Sequence, residues 1–293
     1  MKFIQYGPVM TAEPPVVCRG ADLFVFALPA ELRRLRDFCH SLFNEPTHGA
    51  VKCDPLGPWI VMIVGAIDRV SGANKDKPAV REKNVLVHVP VFVRTAQEDF
   101  PAVFSPYVWV DNPNSLTSGR EVFGYAKTMG RITIDHPADP LCFELAVFGG
   151  NLNTDIWDWR ESFLRIERGK AGAAPLFSII DLVEGGNEVG DLLSKWADTG
   201  VRELYYKQFR SIDDGDPSRP GKACLTEIAA AEYVVFGEPK ITPLGHQYKI
   251  HLDNLGSHPI RTELGLKAES VSWAYRLKTN FRLEHGCVLW TSR

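Results

Sequence analysis

A run of strict alternation, residues 84–93, is the feature of this sequence that most constrains its fold. Valine stands at every second position from Val85 to Val93, and the intervening positions include His88 and Pro90. Successive side chains of a strand point to opposite faces, so this pattern predicts a β-strand with one continuous apolar face. Pro90 has no backbone N–H, which predicts an edge position, a bulge or a local loss of pairing there.

Other segments of high apolar content, separated by Gly, Pro and Asn, also favour strands. Besides 84–93, the sequence predicts strands at 16–28, 59–70, 106–110, 130–134, 141–149, 223–236, 247–252 and 273–290. Helical spacing of apolar residues predicts fewer helices, at 29–43, 155–168 and 187–208, the last interrupted near Gly200. Strands that do not alternate regularly with helices favour a mainly β, α+β fold over a doubly wound sheet.

Composition excludes several classes of partner. With 293 residues, 45% of them hydrophobic, the chain can bury the core of one large domain or two small ones. A net charge of -3 without a basic block gives no reason to expect nucleic acid or an anionic membrane. No apolar run reaches membrane-spanning length, and six scattered cysteines form no Cys-x-x-Cys pair. We therefore expect a soluble, cytoplasmic protein with reduced thiols.

One lysine stands apart from this background. It ends the run Gly119-Arg120-Glu121-Val122-Phe123-Gly124-Tyr125-Ala126-Lys127, which is mostly apolar or small and is followed by Thr128. An amine attacks a ketone only when it is unprotonated, and apolar surroundings favour that form. After loss of water the product is an iminium, which accepts the electron pair released when a neighbouring bond breaks. Lys127 therefore predicts a class of chemistry rather than a particular substrate.

The same run resembles the active-site segment of the acetoacetate decarboxylase superfamily. There, Gly-Arg-Glu is followed after a short spacer by Tyr-Pro-Lys-Lys, and five positions of this sequence match it without gaps: Gly119, Arg120, Glu121, Tyr125 and Lys127. The resemblance implies that Lys127 is the Schiff-base lysine and that no cofactor is needed. Two positions depart from the pattern, because Ala126 replaces the proline and Thr128 replaces the second lysine.

The resemblance also implies a fold. It covers most of residues 15–150 and 205–290 and implies an antiparallel β-barrel or cone with a buried cavity and a few peripheral helices. We expect residues 1–293 to form a single domain of this kind and to assemble as a homo-oligomer. Residues 151–204 match nothing in the shorter family members, and their helix-spaced Ile156, Trp159, Phe163 and Ile166 predict a helical insertion.

Four further residues are candidates for the site by their positions in the resemblance. Glu82, just before the alternating strand, is the candidate for proton transfer; Arg81-Glu82-Lys83 is also typical of a solvated charge cluster. Arg19 is the candidate anchor for a substrate carboxylate, because a guanidinium matches a carboxylate as a planar fork; its alternative is a structural ion pair with Asp22. Tyr125 is expected to line the cavity.

Glu121 is the remaining candidate for substrate binding or for support of the lysine, and Arg120 is its expected partner. Together these residues predict a Schiff-base lyase that decarboxylates or otherwise cleaves a small oxo acid. Thr128 makes an aldolase-dehydratase, condensing a 2-oxo acid with an aldehyde, the first alternative. A non-catalytic module that binds a small organic acid is the second, with Lys127 as a salt-bridge donor.

Overall fold

A computed structural model describes residues 11–73, 79–151, 154, 156–171, 201–210, 223–266, 270–271 and 274–292 of the chain. The strands are β1 (Val16–Pro29), β2 (Lys52–Pro55), β3 (Trp59–Ser71), β4 (Val80–Arg94), β5 (Asp99–Val110), β6 (Lys127–Ile134), β7 (Cys142–Gly149), β8 (Asp158–Ala171), β9 (Val201–Arg210), β10 (Ala223–Pro243), β11 (His246–Leu252), β12 (Ser270–Val271), β13 (Ala274–Leu283) and β14 (Cys287–Thr291). The helices are α1 (Leu32–Cys39), α2 (Pro113–Ser118) and α3 (Ile260–Leu264), with π-helical turns at His40–Asn44 and Gly119–Phe123. The predicted mainly β fold is confirmed.

Seven of these strands close into a ring. Strand pairing runs β5–β9–β10–β13–β1–β3–β4, and a further pairing between β4 and β5 returns to the start. All of these pairs are antiparallel except β5–β9, which is a short parallel pair. A closed ring leaves no unpaired edge along its circumference and encloses an interior lined by one face of each strand.

Strand β4 shows how the sequence builds both sides of this wall. Its valines from Val85 to Val93 are buried in the main apolar core outside the ring, whereas the other face, from Glu82 to His88, lines an interior cavity. Near Pro90 the pairing partner changes, since β3 pairs with β4 as far as His88 and β2 pairs with it from Val91. Pro90 remains paired with Val103 of β5, and the β4–β5 register shifts between Val87 and Val89, so the predicted disturbance is a bulge and a change of partner on one side rather than a full loss of pairing.

A second group of strands covers the outside of the ring. Strands β6, β7, β8, β11 and β12 follow one another from β5, and their inner face packs on the outer face of β1 and β3. Phe24 contacts Phe143 with ring centroids 4.9 Å apart, and Phe26 contacts Tyr248 at 5.2 Å. Burying a side chain of this size contributes about 1.5–3 kcal/mol. This outer layer holds the ring wall in place, so the cavity behind it keeps its shape.

The predicted helix at 155–168 is wrong, because Asp158–Ala171 is strand β8, paired with β7 and β11. A β-bulge explains the error. Leu145 of β7 pairs with Leu164 of β8, and Val147 of β7 pairs with Arg160 of β8. A step of two residues along β7 is therefore matched by a step of four along β8, so β8 carries two extra residues there. The bulge breaks the two-residue period of the strand and leaves apolar residues at spacings that resemble those of a helix.

The predicted helix at 187–208 is also wrong where it can be checked, since 201–208 belong to strand β9. Its earlier part, 187–200, lies outside the described residues. A helical insertion over 151–204 is thus contradicted at 158–171 and 201–204, both of which are strands paired into the sheet. The single-domain extent of 1–293 stays a prediction.

In the described part of the chain the longest of the three α-helices has 8 residues, far short of the about 20 that cross a bilayer.

Candidate active site

The motif around Lys127 folds as a short helix followed by a tight turn. Asn112 begins α2, and its side-chain Oδ1 accepts hydrogen bonds from the backbone N–H groups of Asn114 (2.9 Å) and Ser115 (3.2 Å). The helix continues as a π-helical turn that ends at Gly124, whose φ of 96° is in the left-handed region. The chain then enters β6 at Lys127, which pairs with Val108 of β5. This turn sets the direction from which the lysine reaches the cavity.

Gly119 explains the first position of the motif. A Cβ atom placed there would lie 2.3 Å from Cδ and 2.7 Å from Cε of Lys127, so the lysine stem lies directly over the glycine. Arg120 explains the second position, because its Nη1 donates a hydrogen bond to the backbone carbonyl of Lys127 at 3.0 Å. The two residues therefore hold the lysine from both its side chain and its backbone.

Gly119→Ala is expected to slow imine formation at Lys127 by roughly 10- to 100-fold, because misplacement by about 1 Å costs a reaction on that order. The helical backbone at this position (φ -62°) accepts alanine, so the melting temperature should hardly change. Rates of reductive trapping with a keto acid would measure the effect. Gly286→Ala is the matched control, since its Cβ would meet nothing closer than 3.7 Å. Equal trapping rates in both variants would refute this role of Gly119.

Lys127 and Glu82 meet at one end of the cavity. Lys127 Nζ donates a hydrogen bond to Ser115 Oγ at 2.8 Å and lies 3.9 Å from Glu82 Oε1. Their side chains are only 12% and 5% exposed, which removes Glu82 from the class of solvated surface charges. Asn84 Nδ2 donates to Glu82 Oε1 at 3.1 Å, while Asn84 Oδ1 is buried with no hydrogen-bond partner in the described part of the chain.

Cys18 is a third group at this end of the cavity. The thiol is buried, and burial raises its pKa, with the carboxylate of Glu82 adding to the effect and Lys127 opposing it. A thiol held in its protonated form is a poor nucleophile. Cys18 therefore contributes wall area beside the amine and does not compete with it.

The structure does not bring Arg19 and Glu121, the other two residues predicted from the sequence, to the group formed by Lys127, Glu82 and Cys18. Arg19 is exposed, does not line the cavity, and lies over the ring of Phe236 at 5.2 Å. Arg19 follows Cys18 on β1, so its side chain points to the face opposite the one that Cys18 presents to the cavity. The next residue, Gly20, has a φ of 63° and lies where the register of β1 shifts. Glu121 is likewise exposed on the π-helical turn.

A second buried cluster borders the cavity through Tyr125 and is centred on Glu203. This carboxylate is fully buried and accepts hydrogen bonds from the hydroxyls of Ser105, Tyr125 and Tyr205. Tyr125 also shares hydrogen bonds with the Tyr205 hydroxyl, at 3.2 Å, and with the Tyr233 hydroxyl. The ring of Tyr125 lies 5.1 Å from Lys127 Nζ, so this cluster forms the wall beside the amine.

Burial sets the protonation of the cluster. It raises the pKa of Glu203, although hydrogen bonds from Ser105 and the tyrosines oppose that rise. It also raises the pKa values of Tyr125, Tyr205 and Tyr233 well above the usual range, so all three remain phenols. At the edge of the cluster, Ser105 Oγ lies 2.8 Å from His88 Nδ1, and burial lowers the pKa of His88 to about 4. The imidazole is therefore neutral at physiological pH.

His88 is expected to make the protein sensitive to acid. Its ordinary pKa is 6.5, so between pH 6.5 and about 4 the unfolded chain binds a proton that the folded chain does not. The stability present above pH 6.5 should fall by about 3 kcal/mol as the pH approaches 4. Urea unfolding of the wild type and of His88→Gln at pH 7.5 and 4.5 would test this. A difference between the two proteins that does not change with pH would contradict it.

The cavity that these residues share measures about 300 Å³ and lies inside the ring of strands. This size is at the lower end of the range for small-molecule sites. Its described lining contains two charged residues, Glu82 and Lys127, and is otherwise mostly aliphatic and aromatic. In the part of the chain described here, no three His, Cys, Asp or Glu side chains lie together as a metal site would need.

The comparisons with known proteins agree with this geometry. Residues 80–157, which include Glu82, Tyr125 and Lys127, match the family described as Acetoacetate decarboxylase (ADC). No curated protein matches the sequence. An acetoacetate decarboxylase from Legionella pneumophila has a similar structure, with 12% identity and a TM-score of 0.62, covering 100% of this chain and 93% of its own.

Two further solved structures are similar at comparable distance. The enduracididine biosynthesis enzyme MppR, complexed with the condensation product of pyruvate and imidazole 4-carboxaldehyde, has 11% identity and a TM-score of 0.56, with 95% of this chain and 90% of its own covered. An acetoacetate decarboxylase-like enzyme from Sphingomonas wittichii RW1 has 15% identity and a TM-score of 0.53, with 97% and 96% covered. The chain thus has the acetoacetate decarboxylase-like fold, and the resemblance found in the sequence is confirmed.

Apart from Tyr125, sequence reasoning missed the cluster around Glu203. Its members come from β4, β5, β9 and β10 and from the turn before β6, so only the closed ring brings them together. One signal was available, because Glu203 and Tyr205 alternate with the apolar Leu204 and with Tyr206 in a segment rich in aromatic residues, a pattern typical of a strand. That pattern would have identified β9, although not the burial of its carboxylate.

Proposed function

We propose that this protein is a lysine-dependent lyase that binds a small oxo acid as an iminium on Lys127 and cleaves a bond to the carbon adjacent to the former carbonyl carbon. One observation carries the proposal: the Lys127 amine is nearly buried at the end of an apolar cavity, with a buried carboxylate 3.9 Å away. A lysine serving solubility would have no reason to occupy such a position. The match of residues 80–157 to the decarboxylase family supports the same chemistry.

The chemistry follows from the groups at hand. The unprotonated amine adds to the substrate ketone and gives a carbinolamine, whose hydroxyl can donate to Asn84 Oδ1. Loss of water leaves the iminium, whose nitrogen accepts the electron pair of the bond that breaks; for a 3-oxo acid the leaving group is carbon dioxide. The resulting enamine takes a proton on carbon, and water then releases the ketone and regenerates the amine. Glu82 is suited to hold and return the protons of these steps, and Ser115 fixes the position of Nζ.

A second reaction of the same iminium has its own support. Thr128 stands where the decarboxylase pattern has a second lysine, and one similar structure, MppR, holds a condensation product of pyruvate and an aldehyde. In that alternative, the enamine of a 2-oxo acid attacks the aldehyde and water is then lost. Both reactions need Lys127, and they differ in what the enamine takes up, a proton or an aldehyde carbon.

Product analysis tests the proposal. Purified protein would be incubated with acetoacetate alone, or with pyruvate and an aldehyde, and carbon dioxide and condensation product measured in parallel. Carbon dioxide release above the uncatalysed rate supports the decarboxylase, and condensation without it supports the alternative. If neither product forms and no keto acid can be trapped on the protein by reduction, a non-catalytic binding protein is the remaining interpretation.

Glu82→Gln is expected to separate imine formation from proton transfer. The amide keeps the volume of the side chain and a hydrogen bond to Asn84 but cannot exchange a proton, so turnover should fall by about 10²- to 10⁴-fold. Trapping of the keto acid on Lys127 should persist. Single-turnover experiments with and without borohydride would measure both. Parallel loss of trapping and turnover would show that Glu82 positions the lysine instead.

A further inference from the structure

We infer that the site is built for a monocarboxylic oxo acid with an extended unbranched hydrocarbon chain, rather than for a four-carbon acid or a substrate with a second charged group. The inference rests on the proposed function and adds the class of substrate. It is drawn from how the cavity continues beyond Lys127 and Glu82.

The register of the strands shows how far the cavity extends. Glu82 and Leu86 lie four residues apart on the same face of β4, which separates them by about 13 Å along the strand. At the level of Leu86, Ile63 pairs with it on β3 and Val25 pairs with Ile63 on β1, and all three line the cavity. At the level of Asn84, between Glu82 and Leu86, Leu23 pairs with Leu277, which pairs with Ile241, and these line it too. The cavity beyond Glu82 is therefore a mostly aliphatic sleeve, in which Tyr275 lies beside Val25.

One glycine, Gly65, keeps this sleeve open between the strands. Gly65 lies between Ile63 and Ile67 on β3, and a Cβ atom there would come within 2.5 Å of Leu23 Cδ2 and 3.0 Å of Asn84 Oδ1. A larger residue would push Leu23 or Asn84 into the passage that joins the polar end to the aliphatic end. The glycine thus leaves Leu23 and Asn84 in place along that passage.

The charges of the wall argue against a second polar group on the substrate. Among the described lining residues, Lys127 and Glu82 are the charged ones, and both lie at the reactive end. The hydroxyls of Tyr125 and Tyr233 are engaged with each other and with Glu203, and His88 faces Ser105. At the level of Leu86, the described lining also contains the hydroxyl-bearing Tyr275, the β13 partner of Val25. A carboxylate at the far end of the substrate would lose its hydration and meet no charged partner among the described lining residues, which is costly.

The volume agrees with a chain of this kind. Water occupies about 30 Å³ per molecule in the liquid, so a cavity of about 300 Å³ has room for roughly ten groups of that size. A four-carbon acid has fewer non-hydrogen atoms than that and leaves part of the cavity unfilled. Each methylene group moved from water into an apolar sleeve strengthens binding by a factor of about four. The half-exposed parts of the wall reduce this gain, and we expect at least a tenfold gain for four added carbons.

Reductive trapping over a chain-length series tests the inference. The half-saturating concentrations of acetoacetate, 3-oxohexanoate and 3-oxooctanoate would be compared for formation of the reduced adduct. We expect the value to fall at least tenfold from acetoacetate to 3-oxooctanoate. Leu86→Trp, which fills the sleeve, should abolish that ratio, with Val25→Phe as a smaller change should the first variant fail to fold. Val288→Trp, on an exposed position (52%) outside the cavity, is the matched control and should keep the ratio.

Equal half-saturation along the series, or tightest trapping of acetoacetate, would overturn the inference while leaving the proposed function intact. Calorimetry with butanoate and octanoate on Lys127→Met tests the sleeve independently of the proposed function, because these acids cannot form an imine. If octanoate binds at least tenfold more tightly but no oxo acid is trapped on the wild type, the sleeve inference holds and the proposed function fails. Equal binding of the two acids would contradict the sleeve directly.

Discussion

Lys127→Met is expected to reduce turnover of any oxo-acid substrate by more than about a thousandfold, because Lys127 carries the one amine among the described residues that line the cavity. Methionine keeps an unbranched stem of similar length over Gly119, so packing against the turn is retained. The melting temperature should therefore stay close to that of the wild type. Turnover assays and thermal unfolding on the same preparation would measure both.

Lys83→Met is the matched control for that experiment. Lys83 lies next to Glu82 on β4, but its Nζ donates to the carbonyl of Ile132 at 3.2 Å and it does not line the cavity. Turnover by this variant should be close to that of the wild type. Retention of most activity in Lys127→Met, or an equal loss in Lys83→Met, would remove Lys127 from the chemistry.

Glu203→Ala is expected to destabilise the fold by about 5 kcal/mol. Glu203 is the acceptor for the hydroxyls of Ser105, Tyr125 and Tyr205, and its removal leaves several buried donors unpaired beside a new void. Loss of this size approaches the total stability of many domains, so the variant should express poorly or unfold at low urea concentration. Glu203→Gln keeps an acceptor oxygen and should cost much less.

Urea unfolding at pH 7 compares these variants. Burial raises the pKa of Glu203 above its ordinary value of 4.5, so the folded state disfavours the charged carboxylate. The stability of the wild type should therefore decline as the pH rises from 4.5 through the raised pKa of the folded state. Glu203→Gln removes that contribution. Glu161→Ala provides the control for loss of a carboxylate, since Glu161 is exposed and paired with exposed Arg131, and it should change stability by less than about 1 kcal/mol. A cost for Glu203→Ala as small as that of the control would contradict the cluster as a structural centre.

Much of the fold could be predicted from the sequence because its strands carry local signals. The alternation over 84–93 separates the core face of β4 from its cavity face, and the motif from Gly119 to Lys127 identifies the turn that carries the amine. The misread helix at 155–168 has a physical reason, since a bulge in β8 replaces the two-residue period with longer spacings. A bulge depends on the neighbouring strand, which no local pattern contains.

The site could be predicted only where one segment or a family pattern holds its residues. Lys127, Tyr125 and Glu82 were found in that way, and the geometry brings them to one cavity. Arg19 was expected to bind a carboxylate, but it follows Cys18 on β1 and points to the opposite face. Glu203 and His88 acquire their properties from burial, and burial inside a closed ring depends on pairings between strands far apart in the sequence.

Peptide mapping after reductive trapping tests the central claim most directly. The protein would be incubated with acetoacetate or pyruvate and cyanoborohydride, digested, and every lysine-containing peptide measured by mass spectrometry. The account predicts that the reduced adduct appears on the peptide that contains Lys127, saturates at one adduct per chain, and disappears in Lys127→Met. An adduct spread over exposed lysines, or unchanged in Lys127→Met, would contradict it.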